Sequence, residues 1–380
     1  MIPLPQSAAD DATAAIQARL DRGGLVRMQG RAVYTVRRPL VVRSDTDWLL
    51  DDDVEIVRGF SNGGETWATV RCVDARNVAI RGLRVRSRDA TCTGKQVFVN
   101  RTAGLYVERL QCGATYADWA TALKDCNGVR VIDPTFDCPG AMHQDGLHIY
   151  GGGDIVAVNV RGKVGDDLVA ISAERLGDDG QVEQIPMDNV RVIGVNGVST
   201  HANLVRIRRV SGAVPVRNIV VSDVAGECLG VGGIAIEGTA DSPLVDVTLS
   251  KIDIDCAHNF WEGLKATFVR GLQLDRVTVR RPSHRPFYID GCEDVRGWGL
   301  ETDGPRLPDM QCVLVAEKHD CRGVRLEGDF AGATHHGIVL GTKAGRVTNW
   351  RLAGKVSGQR LTPLYRGNCD DGDASQLEAA

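Results

Sequence analysis

Aromatic residues make up only 5% of the 380 positions, and there are just 5 methionines and 13 prolines. With 44 glycines, that balance suits many short strands joined by tight turns better than a helical bundle. Net charge is only −4 and the acids are scattered, so no nucleic-acid partner is expected. No apolar run approaches the eighteen or so residues of a membrane span, which excludes membrane insertion. The start, Met-Ile-Pro-Leu-Pro-Gln, has neither a basic n-region nor an apolar h-region, so a chain made in the cytosol without a signal peptide is expected. The cysteines number 11, an odd count without a Cys-x-x-Cys pair. That argues against zinc and for buried free thiols.

What the sequence does have is rhythm. Residues 9–22 form the only convincing helix, with Asp10 or Asp11 as its cap, Ile16 and Leu20 on one face, and Gly23-Gly24 as its stop. Beyond it the apolar period becomes two. From about residue 66 a unit Asn-Val-x-Ile-x-x-Leu-x-Val recurs, first at Asn77-Val78 and later at Gly104, Gly128, Asp154, Asn189, Asn218, Asp246, Gly271, Asp294, Gly323 and Arg346. The steps range from 23 residues (Gly271 to Asp294) to 35 (Asp154 to Asn189). A second short strand precedes each unit, as at Asp145 to Tyr150, Asp167 to Ser172 and Asn203 to Arg208. Strand-only repeats of this length predict a solenoid, and the fixed spacing of leucine-rich repeats is missing. The expected fold is all-β, a right-handed parallel β-helix of about eleven rungs with the helix covering its open end. One domain would span residues 1–366, and the tail 367–380, which loses the apolar period, is expected to fray.

Aligning Ile149, Ile171 and Ile207 puts Leu147, Val169 and Val205 inward together and sends His148, Ala170 and Arg206 outward. Asp145, Asp167 and Asn203 then share a column at the strand starts, and Tyr150, Ser172 and Arg208 form another. Asp166 reaches the same groove if the chain turns at Gly165. Taken singly, Asp-Gly and Asp-Asp are ordinary turn residues; the shared column and the step from Asp145 to Asp167 set this group apart. Carboxylates about 4.8 Å apart on adjacent strands separate in pKa, so one can stay protonated while another stays ionised. Such a set can protonate a leaving oxygen and activate water, which is glycosidase chemistry. His143 and His148 beside Asp145 could ligate a metal, but polar groove lining explains them equally, and no metal or other cofactor is expected.

These motifs carry a resemblance. His-Gln-Asp-Gly, Gly-Asp-Asp-Leu-Val-Ala-Ile and Val-Arg-Ile-Arg resemble Asn-Thr-Asp-Gly, Gln-Asp-Asp-Cys-Ile-Ala-Ile and Arg-Ile-Lys of the polygalacturonases, glycoside hydrolase family 28. The likeness covers roughly residues 125–240. It implies Asp166 as general acid, Asp145 and Asp167 as holders of the attacking water, Arg206 and Arg208 as ligands of a substrate acid group, and inversion at the anomeric carbon. Inversion in turn calls for about 6.5–9.5 Å between acid and base carboxyls. His148, His201 and Tyr150 would complete the substrate contacts.

The sequence departs from the family pattern twice. No Gly-His-Gly lies between Asp167 and Arg206, where His201 is the only histidine, and Arg208 stands where the family has lysine, whose point charge it does not reproduce. Both departures fit a branch acting on another polysaccharide, such as a bacterial capsule or O-antigen. The opening segment, Asp-Asp-Ala-Thr-Ala-Ala-Ile-Gln then Gly-Gly-Leu-Val-Arg-Met-Gln-Gly, is similar to the start of many phage tailspikes. That resemblance implies a virion protein acting outside the cell, as a homotrimer. The competing readings are a carbohydrate-binding tail module, in which the acids are turn residues, and a polysaccharide lyase with calcium and a basic residue.

Overall fold

The structure is a computed structural model. It describes residues 11–379 except 62–66, 117, 141, 177–181, 210, 211, 213, 258–260, 308, 309, 333, 334, 360 and 361. Asp10 and the first part of the expected helix lie outside the described residues. The chain divides into two compact units, Met1–Arg191 and Val192–Ala380, where the repeat suggested one domain. Rungs of a solenoid touch only their neighbours, so its contacts separate readily into blocks. Both units are parallel β-solenoid, about 13 turns in all rather than eleven. The turns beyond eleven include Gly24–Met28 on Thr46–Leu50, which precede the first recognisable repeat.

In the first unit, Val70–Val73, Val97–Asn100, the start of Thr121–Ile132, the start of Leu147–Val164, and Val169–Ser172 stack in parallel register. Val70, Val97, Thr121, Leu147 and Val169 form one inward column, and Cys72, Val99, Leu123, Ile149 and Ile171 the next; every one is buried. Apolar side chains of one size class at one height let each rung repeat the last, burying a continuous core. The second unit repeats the pattern with Val205–Arg208, Ile234–Glu237, Leu264–Thr267, Phe287–Asp290, Val313–Val315 and Ile338–Leu340. Behind them Ile219, Val247, Leu272, Val295 and Val324 form a fully buried column.

The recurring first residue of the sequence repeat has a conformational cause. Asn77, Gly104, Gly128, Asp154, Asn189, Asn218, Asp246, Gly271, Asp294 and Gly323 all have φ between 52° and 74°. Only glycine, asparagine and aspartate enter that left-handed region at little cost, so the turn selects them. Asparagine adds a ladder: Asn189 Nδ2 donates to Asp154 Oδ1 at 2.6 Å.

The helix is shorter than expected, Thr13–Leu20, and buries Thr13, Ile16 and Leu20; Gly23 and Gly24 end it at φ 64° and 67°. Its Gln17 acts as one residue of a missing rung. The side-chain amide donates to Val41 C=O at 3.0 Å and accepts from Val41 N–H at 2.8 Å, satisfying an edge strand that would otherwise pair with another chain. Within the tail, Asp373–Ala379 is a strand parallel to Arg351–Val356. Its residues are exposed or half-buried, so backbone pairing rather than an apolar stripe holds it, and no period marked it. All 11 cysteines are free, and all but Cys369 are buried. Burial pushes the Cys72 thiol up to about 11, which leaves it unreactive as a nucleophile.

Gln17→Leu leaves both polar groups of Val41 unpaired, and should lower unfolding free energy by about 1–3 kcal/mol. The urea midpoint should fall without a change of slope. An unchanged midpoint would mean that water serves Val41 equally well.

Candidate active site

The column two residues before the short strands of the first unit holds the site. The pairings Val97↔Thr121, Thr121↔Leu147 and Leu147↔Val169 place Lys95, Trp119, Asp145 and Asp167 one above another. The ladder continues past the strand ends to hold them there. Ala120 N–H donates to Asp145 C=O at 2.8 Å, and Gly146 N–H to Asp167 C=O at 3.0 Å. Both carboxylates are 3% exposed.

Asp145 is clamped at both oxygens. Oδ1 accepts the Asp167 backbone N–H at 3.2 Å, and Oδ2 faces His148 Nδ1 at 2.6 Å. The far nitrogen, Nε2, lies 2.7 Å from Ser172 Oγ, one rung on. The Trp119 ring lies on the imidazole with centroids 3.7 Å apart and planes at 26°. Lys95, 1% exposed, sits over that indole at 5.0 Å and pairs with Asp118 at 2.8 Å. Charges this deep are tolerated only when paired.

Asp166 differs from its neighbours. The chain bends at residues 165 and 166, its N–H donates to Gln144 C=O at 3.2 Å, and its side chain retains 15% exposure. Oδ2 accepts the backbone N–H of His143 at 2.5 Å. One oxygen from each of Asp145, Asp166 and Asp167 lies within 4.8 Å of the others, a grouping that could also hold a metal ion. The three acids therefore meet, as their column required. They are closer than the 6.5–9.5 Å or so expected of an inverting pair, and nearer the roughly 5 Å of a retaining one. The bend at Asp166 turns its carboxylate toward the column instead of away from it.

Two expected substrate contacts are placed differently. His148 is 8% exposed with both nitrogens engaged, so it clamps Asp145. Tyr150 is 1% exposed, and its hydroxyl donates to Glu183 C=O at 2.7 Å. The antiparallel hairpin Glu174–Leu176 with Val182–Gln184 has Glu183 in its second strand and closes over it, an excursion that strand periodicity did not announce. Trp119 and Lys95 escaped sequence reasoning, though the steps from Lys95 to Trp119 and from Trp119 to Asp145 each equal one rung.

Arg206, Arg208 and His201 belong to the second unit. Arg206 bonds twice to Glu237 Oε2, at 3.2 and 3.0 Å, and Lys265 holds Oε1 at 2.9 Å. Burial works to raise the Glu237 pKa, but these two cations outweigh it and hold the carboxyl below its ordinary value. Arg208 is exposed. His201 is exposed, with Nδ1 2.8 Å from Thr200 Oγ1.

The stacked parallel ladder, with buried acids at its strand starts, makes the chain a parallel β-solenoid. No family model and no curated protein matches the chain, so its likenesses are to solved structures. A family 28 exopolygalacturonase of Yersinia enterocolitica aligns at a TM-score of 0.62 and 11% identity, over 98% of this chain and 76% of that one. The tailspike of an Escherichia coli bacteriophage, solved with a hexasaccharide, gives 0.59 and 10% over 99% and 77%. PfbA, a surface adhesin of Streptococcus pneumoniae, gives 0.56 and 10% over 96% and 90%. The shared feature is the fold, one found in glycan-degrading enzymes and in proteins that bind at surfaces.

His148→Ala deprives a buried carboxylate of its partner, and should destabilise the protein by about 1–3 kcal/mol, seen as a lower melting temperature. Trp119→Ala should release His148 and lower the melting temperature as well. A melting temperature unchanged in both variants would refute the clamp.

Proposed function

We propose that the protein is a glycoside hydrolase that cleaves an acidic polysaccharide by inverting acid–base catalysis. The observation that carries this reading is the unequal set of three carboxylates, two buried and one half-open, with oxygens within 4.8 Å. Asp166, the most accessible, protonates the glycosidic oxygen. Asp145 and Asp167 hold the water. Two hydrogen bonds of about 2.8 Å from one water span roughly 4.5 Å at a tetrahedral angle, inside the 4.8 Å limit on the spacing of these oxygens.

Retention would need a carboxylate oxygen to reach the anomeric carbon. Each oxygen of Asp145 already takes one hydrogen bond, which leaves lone pairs for a water but fixes the carboxylate in place, and Asp145 and Asp167 are 3% exposed. A water seated on them extends where they do not. That favours inversion in spite of the short spacing. His148 acts through Asp145 as a positioning residue. The likeness to a tailspike solved with a hexasaccharide supports a saccharide chain as substrate.

The competing reading is a glycan-binding module, favoured by the depth of Asp145 and Asp167. Incubation with a panel of bacterial surface polysaccharides separates the two. Hydrolysis should release reducing ends without a new ultraviolet-absorbing double bond, and chelator should not abolish it. No cleavage of any polymer would leave the binding module; an unsaturated product would make the protein a lyase.

Asp145→Asn, Asp166→Asn and Asp167→Asn should each lower kcat by about 10²–10⁴-fold, with Asp166→Asn leaving the melting temperature nearly unchanged. Proton NMR of the first product should show the inverted anomer. A retained anomer, or an active Asp166→Asn enzyme, removes this assignment.

A further inference from the structure

The second unit contains a cleft of about 430 Å³ whose lining includes Phe268, Arg270, Gly291, Glu293, Lys318 and His319. None of these residues belongs to the carboxylate site, and the cleft has the parts of a sugar-binding pocket.

The first part is a strained aromatic. The pairing Thr267↔Asp290 puts Phe268 beside Gly291 just past the strand ends, and Val315↔Leu340 puts Ala316 beside Gly341 at the corresponding turn two rungs on. Their φ values are 51°, 65°, 59° and 69°. Glycine and alanine are small enough for such left-handed turn positions, whereas a phenylalanine there is an outlier. Strain of this kind collects where it is used. A Cβ on Gly291 would come within 2.6 Å of Phe268 Cδ1. The phenyl ring thus lies over the glycine of the adjoining rung, half-buried at the cleft wall.

The second part is a fixed histidine. Asp290, 2% exposed, accepts the backbone N–H groups of Lys318 and His319 at 2.9 Å each through Oδ1, and faces His319 Nδ1 at 2.6 Å through Oδ2. That holds the imidazole 4.6 Å from the Phe268 ring at 59°. With Nδ1 committed, Nε2 is the atom available to a ligand, and it has no hydrogen-bond partner among the described residues. The third part is charged with both signs, since Asp320 also lines the cleft, its Oδ1 accepting the Arg346 backbone N–H at 2.8 Å. Arg270 pairs with Glu293 at 3.2 Å, whereas Lys318 makes no ion pair among the described residues.

We infer that this cleft binds a pyranose carrying a carboxylate, with the sugar ring against Phe268 and the acid group on Lys318 and His319. An aromatic face suits the apolar side of a sugar, and a flexible ammonium suits an acid group that needs no forked geometry. The inference takes its ligand class from the glycan reading above, but it requires no catalysis.

Saturation-transfer NMR with methyl β-D-glucuronide tests it, using the full chain bearing Asp166→Asn so that hydrolysis plays no part. Methyl β-D-glucoside is the comparison. The glucuronide should bind more tightly than the glucoside, and Phe268→Gly and His319→Ala should each weaken it about tenfold. Phe268→Gly, which restores the residue found at Gly291 and Gly341, should melt no lower than its parent.

Equal binding of the two glycosides, or glucuronide binding that survives both substitutions, overturns the inference. So does a marked drop in melting temperature for Phe268→Gly, which would make the ring a packing element. If uronide binding holds while every polysaccharide resists cleavage, the cleft stands and the hydrolase reading falls. The converse removes the cleft alone.

Discussion

Each rung can stack on the last only if the chain turns at the same height every time. The residue at that corner takes a left-handed backbone conformation, as Asn77, Asp154, Asp246 and Asp294 do. Once the corner is set, every later position in the rung has a counterpart about 4.8 Å away on the next. Buried columns such as Leu147 on Val169 and Ile149 on Ile171 then follow, and so does the placement of polar residues outside them. The same corner that builds the core aligns the acids.

Alignment makes the candidate site chemically unusual. Asp145 and Asp167 would repel one another in isolation, yet the ladder that continues through Gly146 and Ala120 holds both in place. His148, bonded to Asp145 and Ser172, spans two rungs and opposes that repulsion. Trp119 and Lys95 extend the support downward along the same column. A solenoid can therefore assemble a reactive cluster from short segments distant in sequence, at the expense of electrostatic strain relieved locally.

Much of this was legible in the sequence because solenoid register reduces to counting. Aligning Ile149 with Ile171 reproduced the observed pairing, and the step from Asp145 to Asp167 brought the acids together. The repeat's leading Asn, Asp or Gly was legible as a pattern, although its cause, the left-handed corner, is a property of the folded turn. What failed was whatever the period does not encode. The hairpin around Glu183 that buries Tyr150 is an insertion outside the rung. The clamping role of His148 depends on Ser172 and Trp119, whose nearness is three-dimensional. The terminal strand Asp373–Ala379 carries no apolar stripe, so nothing in its composition distinguished it from a loose tail.

The account turns on Asp145 and Asp167 sharing one water. A crystal structure at about 1.5 Å would settle whether they do. It should show an ordered water within roughly 2.6–3.2 Å of an oxygen from each carboxylate, on the side open to Asp166. A cation at about 2.3–2.6 Å from three or more carboxylate oxygens, or the two carboxyls bonded directly with no water between them, would contradict it.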